Sequence, residues 1–137
     1  MRYIFLFLFL FYCMGCRLPK PALELTGTYQ VGDFQMANRL PANAPGGKEL
    51  VSVLGNARPD FRFSHRDDRD SVYILPSLGM RYFGDSVFRF KVVLDTLVLE
   101  NGNNIRKLPI VTDGTLIRLF GISHDIDHIS IIPVKEL

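Results

Sequence analysis

From Asp60 onward the chain is a succession of short apolar alternations cut by turn residues, and this spacing limits the folds it can adopt. In Ser86 to Leu94, Phe88, Phe90, Val92 and Leu94 fall on one side and Arg89 and Lys91 on the other. A period of two is that of a strand with one buried face. Asp95-Thr96 turns the chain and Leu97 to Glu100 returns. Asn101-Gly102-Asn103-Asn104 follows, a hairpin signal because Asn and Gly tolerate positive φ. Ile105 to Val111, Leu116 to Ile122 and Ile126 to Val134 read as further strands, separated by Thr112-Asp113-Gly114 and Ser123 to Asp125. Pro109 cannot donate to a ladder, so its strand should be irregular or at an edge. Upstream, Asp60 to Ser64 and Ser71 to Leu75 pair across a charged turn, His65 to Asp70. Pro76 to Asp85 reads as a loop carrying Met80, Tyr82 and Phe83. Connections this short cannot join parallel neighbours, so the strands should form an antiparallel meander.

Leu25 to Met36 reads as the first strand, with Gly32 marking a bulge that shifts the alternation from Tyr29 and Val31 to Phe34 and Met36. Asn38 to Gly47 is a Pro-, Asn- and Gly-rich loop. Lys48 to Leu54 is a short helix: Leu50, Val53 and Leu54 recur at spacings of three and four, and Gly55 ends it. The reading is therefore all-β, about eight antiparallel strands with one short helix after the first. Eight such strands close most readily into an up-and-down barrel, which removes exposed edges. An open sandwich is the competing architecture.

The start of the chain has a different logic. Arg2 precedes an unbroken apolar run from Tyr3 to Tyr12, and Gly15 stands directly before Cys16. The run is about half the roughly 20 residues a spanning helix needs. It matches the apolar region of a secretory signal peptide. The segment ending at Cys16 resembles the bacterial lipobox, whose cysteine thiol receives a diacylglyceryl group before cleavage. This implies a signal peptide at 1–15, a lipidated Cys16 with an extended, Pro-containing tether at 16–23, and one β domain at 24–137. Two or more acyl chains make such an anchor stable, where one holds only marginally. Arg17 after the cysteine points, by resemblance to enterobacterial sorting, to the outer membrane of a Gram-negative cell envelope. An ordinary cleaved signal and an uncleaved anchor are the competing readings.

Both cysteines, Cys13 and Cys16, fall in this leader, so the domain itself offers no disulfide or thiolate metal site. Lys and Arg total 16 against 14 for Asp and Glu, which leaves no electrostatic footprint for nucleic acid.

On Leu25-Thr26-Gly27-Thr28-Tyr29, on the hairpin from Phe88 to Leu99 and on Arg118, the chain resembles the lipocalin-like small lipoproteins of bacteria. Lipocalins open with Gly-x-Trp, and an arginine from a late strand packs over that Trp. Gly27 matches the glycine, Tyr29 stands at the Trp position, and Arg118 supplies the arginine. A guanidinium stacks well on an aromatic face. The resemblance implies a membrane-anchored barrel whose interior residues Tyr29, Phe61, Phe63, Phe88, Phe90 and Arg118 meet a small hydrophobic ligand. A barrel this small is also readily filled by its own side chains. A non-catalytic envelope module contacting another envelope protein, through residues such as Met80, Tyr82 and Phe83, is therefore the alternative.

The remaining polar concentrations are read as structural. His124 and His128 are four apart, a spacing that converges two imidazoles on a helix but not on a strand and turn. His128 alternates with Ile126, Ser130 and Ile132. His65-Arg66-Asp67-Asp68-Arg69-Asp70 lacks the Gly and terminal Glu of a calcium loop. Arg58, Arg62, Arg66 and Arg69 form a basic patch diluted by acids. Ser64 and His65 are strand neighbours pointing to opposite faces, not a nucleophile and base. The expectation is no enzyme, no metal and no cofactor.

Overall fold

The computed structural model describes residues 23–37, 45–56 and 60–135; the leader, Cys16, most of the tether and Arg58 lie outside these residues. Eight strands form a closed antiparallel barrel in simple sequential order. They are β1 (Gly27–Met36), β2 (Asp60–Arg66), β3 (Arg69–Ile74), β4 (Val87–Val93), β5 (Thr96–Asn101), β6 (Asn104–Asp113), β7 (Leu116–Phe120) and β8 (Ile126–Pro133). Helix α1 (Pro45–Asn56) follows β1, and a single helical turn, α2 (Pro76–Leu78), runs into a π-helical turn at Gly79–Phe83. The meander and the helix after the first strand match the sequence reading.

Closure falls on β1. It pairs with β2 only over Gly27–Gln30 and with β8 from Tyr29 to Met36. The register slips between Val31 and Asp33, at the glycine expected to bulge. A Cβ on Gly32 would lie 2.7 Å from Ile132 Cδ1, so the strands approach closely there. A second slip, between Gln35 and Met36, leaves Asp127 of β8 without a partner. That slip changes the phase of β8. Ile126 faces the interior while His128 and Ile132 face out, so the expected alternation of Ile126 with His128 does not hold.

Inside the barrel the rings interlock. Phe63 meets Phe90 at 5.0 Å and Tyr29 at 5.5 Å between centroids, both edge to face. Phe61 stacks on Phe63 at 6.5 Å and meets Phe83 edge to face at 6.0 Å. Offset and edge-to-face pairs at these separations add to the burial energy of the rings. Val72, Ile74, Leu97, Leu99, Leu108, Leu119, Ile129 and Ile131 fill the space around them.

The two ends are closed differently. At one, Phe83 plugs the interior and Leu50 of α1 and Leu78 of α2 are fully buried beside the core. Polar bonds tie this lid to the β5–β6 hairpin: the Asn104 amide donates to the Phe83 carbonyl at 3.0 Å, and that of Asn101 to the Asp85 carboxylate at 2.6 Å. Thus Pro76 to Asp85 is not an open loop but a helical plug. At the other end, the chain arriving from residue 23 sinks Leu25 into the core.

Smaller differences from the sequence reading have local causes. Helix α1 begins at Pro45 rather than Lys48, since Pro is pre-set for a first helical position. It also runs one residue past Gly55. The β2–β3 turn shrinks to Asp67-Asp68, Asp67 taking φ 47°, so His65, Arg66, Arg69 and Asp70 join the ladder. Leu94 was expected inside, but it sits in the β4–β5 turn at φ 54° and is 91% exposed. Pro109 lies where β6 leaves β5 and begins to pair with β7, a position where its missing N–H costs little.

Two substitutions test this packing. Phe63→Ala removes the ring that touches three others and should cost about 3–5 kcal/mol, read from urea unfolding. A Cβ on Gly79 would lie 2.7 Å from the Asp85 carbonyl oxygen, which is backbone and cannot swing aside. Gly79→Ala should therefore cost about 1–3 kcal/mol. Gly32→Ala, opposed only by the tip of a flexible Ile132, should cost less.

Candidate functional site

Of the expected interior residues, Tyr29, Phe61, Phe63, Phe88 and Phe90 all face the barrel axis and are buried. Burial pushes the Tyr29 phenol above its usual range, partly offset by a backbone hydrogen bond at Thr26. Arg118 does not join them. On β7 the inward residues are Ile117 and Leu119, and Arg118 between them points outward beside Ser130 and Val111. Its nearest acid is Asp113 at 3.9 Å. The arginine-over-aromatic contact implied by the lipocalin resemblance is therefore absent at Tyr29, because strand alternation puts the two side chains on opposite sides of the wall.

Among Met80, Tyr82 and Phe83, only Met80 is a free surface side chain. Phe83 is core and Tyr82 half-buried. Arg81 instead reaches Glu49 and ties the π-helical turn to α1.

His128 lies on the outer face of β8, its ring against Phe120 at 5.3 Å and its Nδ1 2.9 Å from the Asp127 carboxylate. His124 is exposed in the β7–β8 connection. Among the described residues no three His, Cys, Asp or Glu side chains cluster in a way that could hold a metal. Arg62 pairs with Asp60 at 3.2 Å and lies over Tyr73, so it is partly engaged within its own sheet. Two open hollows, of about 400 and 490 Å³, lie on the outer wall over β3–β5 and share Arg89 and Glu100. Their linings are mainly polar and charged, unlike the apolar interior.

The arrangement that sequence reasoning missed is at the mouth where the N-terminal segment arrives. His65 faces inward on β2, with its ring 5.6 Å from that of Phe90. Its Nδ1 is 2.7 Å from the Asp70 carboxylate and its Nε2 2.8 Å from the Leu25 carbonyl oxygen. A carbonyl only accepts, and an ionised carboxylate only accepts. Both ring nitrogens must then donate, so the bonded state is the imidazolium. The Asp70 hydrogen bond, followed by that to Leu25, holds the His65 pKa above its usual 6.5. Partial burial of the ring pulls the other way, and the charges of Asp70 and Glu24 add to the rise. The signal was present in the sequence: across a two-residue turn, residues five apart are cross-strand partners.

Comparison with models of known protein families gives no match, and no curated protein matches the chain. The barrel is compatible with a lipocalin-like fold on its strand number and order.

The His65 contact makes stability depend on pH with a defined sign. A folded-state pKa above 6.5 means the stabilisation is complete below pH 6.5 and is lost as pH rises through the raised value. Thermal melts of wild type and His65→Gln should differ most in mildly acidic buffer and converge on the alkaline side. A difference that stays constant from pH 5.5 to about 9, across the ordinary imidazole range, would show that the imidazolium is not the bonded form.

Proposed function

We propose that this chain is a lipid-anchored protein of the bacterial cell envelope, with a lipocalin-like barrel that is filled by its own side chains and works through its exterior. The anchor rests on the leader, in which a short apolar run ends at Gly15-Cys16. The non-catalytic, interaction-based role rests on one observation above others: the column Tyr29, Phe63, Phe61 and Phe83, with Phe90 at its side, occupies the barrel axis in ring-to-ring contact. An eight-stranded barrel is just wide enough to be filled by side chains or to hold one small ligand. Here the large aromatic residues take that space, and Leu25 and Phe83 stop the two ends. A ligand would have to displace rings whose burial contributes on the order of 2 kcal/mol each. The partner is then another envelope component met by the outer wall, and nucleic acid has no place in this reading.

Two measurements test the two halves. Cys16→Ser should move the protein from the detergent to the aqueous phase on phase partitioning. Retention in detergent, as for wild type, would defeat the lipidation. Native mass spectrometry of the protein from its own envelope should show the acylated chain without a further bound mass. A small apolar molecule released on denaturation would instead make it a ligand-binding lipocalin-like carrier.

A further inference from the structure

The barrel has two chemically distinct ends. One carries the lid, the β5–β6 turn and the β7–β8 connection. The other carries the start of β1, the turns Asp67-Asp68, Leu94-Asp95 and Gly114-Thr115, and the end of β8. At this second end stands Leu94. A two-residue hairpin turn with φ above zero favours Asn, Asp or Gly. Leu is disfavoured there by its Cβ, and a second time by being 91% in water. Val93 beside it and Val111 on the next-but-one strand are each 49% exposed. The Asp95 carbonyl accepts from Ile110 N–H at 2.8 Å, which holds the β4–β5 tip against β6 and places Val93 and Val111 at the same end of the barrel as Leu94. A doubly costly residue at this tip is unexplained by the fold.

The path of the chain supplies the missing occupant. The described structure begins at Leu23 on this same end, and Leu25 is fixed there by burial and by the His65 bond. The residues between Cys16 and Leu23 span at most about 25 Å even when fully extended. We propose that Leu94, with Val93 and Val111, is the membrane-contact tip of the barrel, seated in the headgroup region of the bilayer that holds the Cys16 acyl chains. This rests on the lipid anchor proposed above. The contact is too small to recruit the protein by itself. Held within such a tether it acts at high effective concentration, so a weak apolar contact is enough to set orientation.

The charges at this end are mixed: Glu24, Asp67, Asp68, Asp70, Asp95 and Asp113 stand there with His65, Arg66, Arg69, Lys91, Arg118 and Lys135, so the contact rests on the apolar side chains.

The barrel has no cysteine of its own, since Cys13 and Cys16 both lie in the leader. A single thiol can therefore carry an environment-sensitive fluorophore. The full acylated chain is reconstituted in phosphatidylethanolamine-rich vesicles with spin-labelled lipid, labelled at Leu94→Cys or, as the opposite-end control, at Met80→Cys. Met80 is 57% exposed on the lid. The expected result is a blue shift and several-fold stronger quenching at 94 than at 80. Equal quenching, or more at 80, in a sample whose mass shows acylated Cys16 overturns the tip and leaves the anchor standing. An unacylated Cys16 overturns both. Leu94→Asn provides the second reading: it should raise the melting temperature by relieving the turn. It should also loosen orientation, seen as faster trypsin cleavage at Arg66 and Arg69 on vesicles but not in detergent. An unchanged cleavage rate on vesicles counts against the tip.

Discussion

Every other feature depends on one constraint: β1 has to satisfy two neighbours at once. A barrel has no edge only if its first strand hydrogen-bonds both the second and the last. No straight strand of β1's length does this here. Gly27–Gln30 serves β2, the bulge at Gly32 turns the chain, and the remainder runs along β8. At Gly32 the side chain of Ile132 lies over the gap, so a Cβ there would require Ile132 to move. The same seam buries a polar side chain. Ser130 is buried on the outer side of β8, and among the described residues its hydroxyl has no hydrogen-bond partner. On the inner side the same seam is held by the buried Ile129 and Ile131.

Closure at this radius then dictates the interior. Once β1 and β8 join, inward positions converge on a narrow axis, and the residues at those positions decide whether space is left. They are mostly large: Tyr29, Phe61, Phe63, Phe88 and Phe90 from the strands, with Phe83 inserted from outside the sheet. Phe83 is delivered by a π-helical turn whose first residue, Gly79, is pressed against the backbone at Asp85 and Ser86. The plug thus depends on a glycine chosen for contact, since its φ of −61° is open to any residue.

The strands were legible because alternation is a local property, and one buried face writes itself into every second residue. Phe88, Phe90, Arg89 and Lys91 are sufficient to orient β4. What failed were features set by distant partners. Arg118 looked suitable for Tyr29 by type, but parity along β7 depends on Ile117 and Leu119 meeting Ile131 and Ile129, and these send it outward. Ile126 leaves the phase of His128 because Asp127 is an extra residue on β8, opposite the step from Gln35 to Met36. Phe83 read as a loop aromatic since nothing in Pro76–Asp85 repeats with a period. The His65 site straddles a hairpin and an N-terminal segment 40 residues away, and only its Asp70 half is local.

That site also joins the start of the domain to the barrel wall. A chain tethered by a lipid would normally leave the first residues of the domain free to fray. Here Leu25 is buried and its carbonyl is held by a cationic ring that Asp70 orients from the opposite side. On the proposed lipid anchor, force arriving along the chain before Leu23 would reach the barrel wall at β2 and β3 through the bond between Leu25 and His65. The rim that would then face the lipid is the one whose turns share the mouth with Leu25, and on it Leu94, 91% exposed, is the large apolar side chain with the least to gain from staying in water.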